Sequence, residues 1–176
     1  LHWYPHSFPT RRSSDLFCVA AGVRFIEDST YWNPSWSLAR GAVQNTDVTD
    51  MATVMRAIGR GDLLSEESHA LQIAPTLRGK TSAVDGCPTC APMTEGYTYG
   101  YGIVLQGDWL TQNPLFHGFG GMVGYLAADD LVISVAATYE EEAFDPATGG
   151  PDGNLAVSVF TAVAAVVAPD SPLPQR

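Results

Sequence analysis

Three short runs of this sequence carry side chains able to do chemistry. The first is Cys87-Pro88-Thr89-Cys90. Two thiols at that spacing suit a redox pair, half a zinc site or a small disulfide. A redox pair should open a helix after a strand, whereas this one lies among Gly, Pro and Thr. Zinc needs two further ligands, and no other Cys or His pair lies near in sequence. A structural disulfide between Cys87 and Cys90 is the simplest chemistry left, and no metal site is expected. The second run is His117-Gly118-Phe119-Gly120-Gly121. A histidine can move protons near neutral pH, and glycines let a ligand approach the backbone closely. His117 equally fits an ordinary half-buried strand position. The third run, "YEEEAFD" from Tyr139 to Asp145, clusters carboxylates; a solvated loop is a simpler reading than a metal site. "GFGGMVG" has the wrong spacing for a dinucleotide fingerprint and leads into a strand, so no cofactor is expected.

Composition narrows the partners. The chain has 176 residues and a formal net charge of -10. Nucleic-acid binding depends on Lys and Arg neutralising phosphates, so it is excluded as a role. An anionic membrane surface is disfavoured on the same ground. Hydrophobic residues make up 45% and charged residues 16%, as in a folded domain with one sizeable core. The longest apolar run, Leu155 to Ala168, is too short to cross a bilayer. The N-terminus has no signal-peptide pattern.

The elements that would position these runs can be read from periodicity. "NTDVTDMATVMRAIGRG" predicts a helix capped by Thr46 or Asp47, with Val48, Met51, Met55 and Ile58 on one face and Gly59 or Gly61 at its end. A second helix should run from Ser65 towards Ile73. Residues 76–96 read as a loop. "YTYGYGIVLQG" alternates, which predicts one strand with Tyr97, Tyr99, Tyr101, Ile103 and Leu105 on one face. "GGMVGYLAADDLVISVAATY" predicts an antiparallel hairpin turning at Asp129–Asp130. Asn154 should cap a final helix, Leu155 to Ala168, apolar nearly all round and so expected to be buried. Residues 169–176 should fray. The order predicts an α+β fold, an antiparallel sheet covered by helices.

The leader reads differently. His6 to Leu16, "HSFPTRRSSDL", matches without a gap the translation of the end of a common short-read sequencing adapter. Residues 1–16 are therefore set aside as a non-native leader, residues 17–168 form the domain, and its N-terminal portion is expected to be missing.

Two segments together carry a resemblance. "GAVQNTDVTDMATVMRAIGRGDLLSEES" and "YGYGIVLQGDWLTQNPLFHGFGGMVGYLAADDLVISVAATY" resemble, in order and spacing, the C-terminal half of the serine β-lactamase-like family. That family holds class C β-lactamases, D-alanyl-D-alanine carboxypeptidases and related esterases. The resemblance covers about residues 30–168. It implies a serine nucleophile with a lysine three residues later, a tyrosine from a Y-x-N motif, and a strand triplet lining the site. Ser-x-x-Lys is absent here: Lys80 is the only lysine, and Leu77 stands three residues before it. Tyr31-Trp32-Asn33 spells Y-x-N, but in an aromatic loop where coincidence is the simpler reading. The triplet is either His117-Gly118-Phe119 or, counted back from Gly124-Tyr125, Gly118-Phe119-Gly120 with Gly121 next. On the second count the N–H after the triplet, that of Gly121, is an expected oxyanion donor, and His117 falls just outside. The resemblance implies a small-molecule or peptide acyl substrate and a place outside the cytoplasm. A chain without the nucleophile should not turn over. The alternative is a non-catalytic cell-envelope binding protein on the same fold.

Overall fold

The computed structural model describes residues 17–20, 23–26, 46–87, 90–116, 119–140, 143 and 153–174. The leader at 1–16, Tyr31 to Asn33, His117, Gly118 and most of the carboxylate run lie outside the described residues. Two short strands, β1 (Phe17–Ala20) and β2 (Val23–Ile26), pair antiparallel with each other.

The first helix, α1, spans Val48–Arg60. The Asp47 carboxylate caps it, accepting from the N–H groups of Thr49 and Asp50 at 2.8 and 2.9 Å. It stops at Gly61, whose φ of +79° is open to glycine at little cost. The N–H of Asp62 then reaches back to the Ala57 carbonyl and that of Gly61 to Ile58, which satisfies two orphan carbonyls. A shorter helix, α2 (Glu66–Gln72), follows directly, capped by Ser65.

An antiparallel sheet comes next. Its strands are β3 (Thr98–Tyr99), β4 (Val104–Gln106), β5 (Trp109–Gln112), β6 (Leu115–Phe116), β7 (Phe119–Leu126) and β8 (Leu131–Thr138). β5 and β6 share one lane along β7. Trp109 faces Leu126, Gln112 faces Val123 and Leu115 faces Gly120 in a single unbroken register. The lane is interrupted at Asn113–Pro114, since proline has no N–H to give a ladder. β8 runs along the other side of β7, from Phe119↔Thr138 to Leu126↔Leu131. The β7–β8 hairpin turns through Ala127–Asp130, close to where the sequence places it.

Helix α3 (Leu155–Val167) covers one face of the sheet, and α1 covers the other. Alternation along β7 divides the core accordingly. Met122 and Leu126 pack with Trp109, Ile133, Ala156, Phe160 and Ala164. Val123 and Tyr125 pack with Met55 and Ile103. The Trp109 and Phe160 rings meet edge to face, 5.2 Å apart.

Three expectations change. The run Tyr97–Leu105 is a hairpin of β3 and β4, not one strand. The Gly100 N–H bonds the Ile103 carbonyl, and Gly102 takes a φ of +71° that ends the alternation. Tyr97 and Ile103 are buried, while Tyr101 is left in solvent. Helix α3 buries only Ala156, Phe160 and Ala164, and Leu155, Val159, Val163 and Val166 stay exposed. The tail after Ala168 docks: the Trp109 indole N–H donates to the Ser171 carbonyl at 2.8 Å, the Gln106 amide donates to Pro174 at 2.9 Å, and Leu173 is buried. A proline-rich tail looks disordered by composition, yet two buried donors in β4 and β5 need its carbonyls.

Candidate functional site

Of the glycine run, Phe119, Gly120 and Gly121 are described, and they open β7. Gly120 and Gly121 point to opposite faces of the sheet, and both have a packing reason to lack a side chain. A Cβ on Gly120 would lie 2.5 Å from Asn154 Oδ1 and 2.8 Å from the Tyr139 hydroxyl. A Cβ on Gly121 would lie 2.9 Å from Pro114. Phe119 opens β7 half in solvent.

Asn154 binds this corner together. Its Oδ1 accepts from the Ala156 N–H at 3.1 Å and so caps α3. Its Nδ2 faces three carbonyls, those of Gly121 at 3.0 Å, Pro114 at 3.1 Å and Asn113 at 3.3 Å. The Tyr139 hydroxyl, just past β8, donates to the Gly153 carbonyl and accepts from the Leu155 N–H, both at 3.1 Å. Thus the start of α3 is tied to the root of the β6–β7 hairpin through the one point where the lane is interrupted.

This geometry bears on the expected oxyanion donor. The Gly121 N–H already donates to the Pro114 carbonyl at 2.7 Å. Phe119 and Gly120 pair with β6 on one side, Gly121 bonds Pro114 on that side, and all three pair with β8 on the other. Their backbone therefore has no open edge for a ligand. The open edge belongs to β6. β4 accompanies β5 only as far as Thr111, and among the described strands none pairs with β6 on its outer side. The Pro114–Gly121 bond points inward, so alternation turns the N–H and C=O of Leu115 outward. That edge leads directly to His117 in the sequence.

No family model matches the chain, and no curated protein matches it. Among solved structures it is similar to "The crystal structure of penicillin binding protein from Bacillus halodurans". The identity is 17% and the TM-score 0.45, over 68% of this chain and 30% of that one. The chain thus spans less than a third of that protein's length.

Other expected chemistry lies apart from this corner. Cys87 and Cys90 are joined in a disulfide in the loop between α2 and β3. Threonine Thr81 closes the neck of that loop, donating to the Ala91 carbonyl and accepting from the Met93 N–H. Lys80 is exposed beside it. Among the described residues no group of three His, Cys, Asp or Glu could hold a metal ion, and no helix is long and apolar enough to cross a membrane. At the far end of β7, Asp130 in the left-handed region receives the guanidinium of Arg60. That hydrogen bond holds the Asp130 carboxyl below the usual carboxylate range and raises Arg60. Sequence reading identifies Asn154 as a cap. It misses the amide's second role, because nothing in a local motif says that Pro114 interrupts a strand 40 residues earlier.

Proposed function

We propose that this chain is part of a serine acyl hydrolase of the penicillin-binding and β-lactamase kind, and that it contributes the sheet edge along which the acyl substrate lies. The supporting observation is the outward-facing edge of β6 at Leu115, continuous in sequence with His117. The order of the motifs upstream and downstream adds to it. Both counts of the triplet, from His117 and from Gly118, stay within this reading. A serine and its lysine would come from residues this chain does not contain, since no Ser-x-x-Lys occurs in it. The Cys87–Cys90 disulfide supports a working place outside the reducing cytoplasm.

A second reading has its own support. With the Gly121 N–H committed to Pro114, the corner could hold a peptide or glycan without reacting. One experiment separates the two. The gene is completed upstream of the codon for Phe17, and the product is exposed to a fluorescent penicillin and a fluorophosphonate. Covalent labelling, lost when the Ser of an upstream Ser-x-x-Lys becomes Ala, is the expected result. Absence of both the motif and the label would move the binding protein to the front. The chain as given should hydrolyse neither nitrocefin nor p-nitrophenyl esters above buffer.

A further inference from the structure

The tip of the β3–β4 hairpin stands at the entrance to the open edge. If β4 continued backward in its register, in which Val104 faces Thr111, residues Ile103 to Tyr101 would cover Gln112 to Pro114. Instead the chain turns at Tyr101–Gly102 and halts beside Gln112, whose side-chain amide donates to the Gly102 carbonyl at 2.7 Å. Past that point Asn113, Pro114 and Leu115 are exposed. The tip is also held from outside. The Tyr101 N–H donates to the Gln72 carbonyl at the end of α2, at 2.8 Å. Gly100 lies so close to that carbonyl that any side chain there would collide with it.

A 67% exposed Tyr101 thus rides on a backbone fixed at both ends. It is not core, and with its backbone already fixed only the ring has to be ordered when it meets a ligand. Rigid, exposed aromatics of this kind supply contact area at small entropic cost. The edge beyond it offers an outward N–H and C=O at Leu115, which an extended peptide backbone matches. The net charge of -10 favours a neutral or cationic strand over an anionic one.

We propose that Tyr101 is a specificity-determining residue, packing on a side chain of an extended, neutral or cationic peptide that adds to β6 beyond Gln112. This rests on the sheet-edge reading given above and supplies its substrate class. The test is a titration of the 15N-labelled full chain with a capped Lys-Val-Thr-Val-Ala peptide. The amides of Leu115, Tyr101 and Gly102 should shift together. Tyr101→Ala should weaken binding at least tenfold, Tyr101→Phe less than threefold, and a Glu-Val-Thr-Val-Glu peptide should bind more weakly than the first. Far-UV circular dichroism of both variants should match the parent, because the ring is exposed. Silence at Leu115 up to millimolar peptide, or unchanged affinity in Tyr101→Ala, overturns the proposal. Penicillin labelling is read separately. An unlabelled protein whose Leu115 and Tyr101 respond as stated sinks the hydrolase reading and upholds this one.

Discussion

Replacing Asn154 tests the corner most directly, because its two amide atoms do different work. In Asn154→Ala both are lost. Removing an N-cap costs about 1 kcal/mol. Nδ2 has two hydrogens for three carbonyls, so at most two good bonds are lost, each about 1 kcal/mol net. The sum is about 3 kcal/mol. With a urea m-value near 2 kcal/mol/M, the midpoint should fall by about 1.5 M. Asn154→Asp separates the roles. Its carboxylate can still accept from Ala156, but the second oxygen now faces the carbonyls of Gly121, Pro114 and Asn113. It loses both donated bonds and adds repulsion, so at pH 7 it should be at least as unstable as the alanine variant despite its intact cap. The sign with pH follows. Because its second oxygen faces only carbonyl acceptors, and their repulsion outweighs the one bond from Ala156, the new carboxyl should bind its proton more tightly when folded, so the loss should shrink as pH falls. Urea unfolding followed by circular dichroism at 222 nm reads all of this. An aspartate variant within about 0.5 kcal/mol of the parent at pH 7 would mean that the cap is the whole contribution and that the tie to Pro114 and Gly121 is incidental.

Other outcomes follow from single contacts. Gly124→Ala places a Cβ 2.6 Å from the Phe160 ring and 3.2 Å from Trp109, and overpacking there should cost about 1–3 kcal/mol in the same assay. Phe160→Ala should cost about 3–5 kcal/mol, since the ring is fully buried between β7 and α3. Asp130→Asn keeps a residue that tolerates the left-handed backbone but removes the Arg60 pair. The Asp130 carboxyl is depressed, so its contribution is present above the unfolded pKa and lost as pH falls through the folded one. The variant should therefore approach the parent as the pH falls through the depressed Asp130 pKa and differ from it slightly at pH 7, less so in 1 M salt because the pair is exposed. Val166→Lys changes a 79% exposed position on α3. It should leave the urea midpoint within about 0.5 kcal/mol and raise the concentration at which the chain stays soluble, measured by light scattering.

What the sequence made legible depended on whether a signal was local. Asp47, Ser65 and Asn154 all cap helices as their residue types propose, because a cap is satisfied within three residues. The β7–β8 hairpin is equally local. The hairpin at Tyr101–Gly102 was hidden by the alternation of tyrosines around it, and a glycine at positive φ outweighs that pattern. Helix α3 misled by composition: a stripe of two alanines and Phe160 suffices to pack on the sheet, so its remaining valines do not have to be inside. The tail misled for the opposite reason. Its order comes from two donors, Trp109 Nε1 and Gln106 Nε2, that lie more than 60 residues away.

The glycines of the candidate site show why a motif and a mechanism have to be argued apart. A glycine-rich strand invites the idea of close approach by a substrate. Here the close approach is made by the protein itself: Asn154 and Tyr139 on Gly120, Pro114 on Gly121, Phe160 on Gly124. With both edges of β7 paired, its glycines can serve a ligand only by placing β6, whose outward edge does not depend on any glycine. A chemical role for this corner should therefore be sensitive to Leu115 and Tyr101, and insensitive to small changes along β7 that preserve packing. The reverse pattern would place the ligand on β7 and require the Pro114–Gly121 bond to open first.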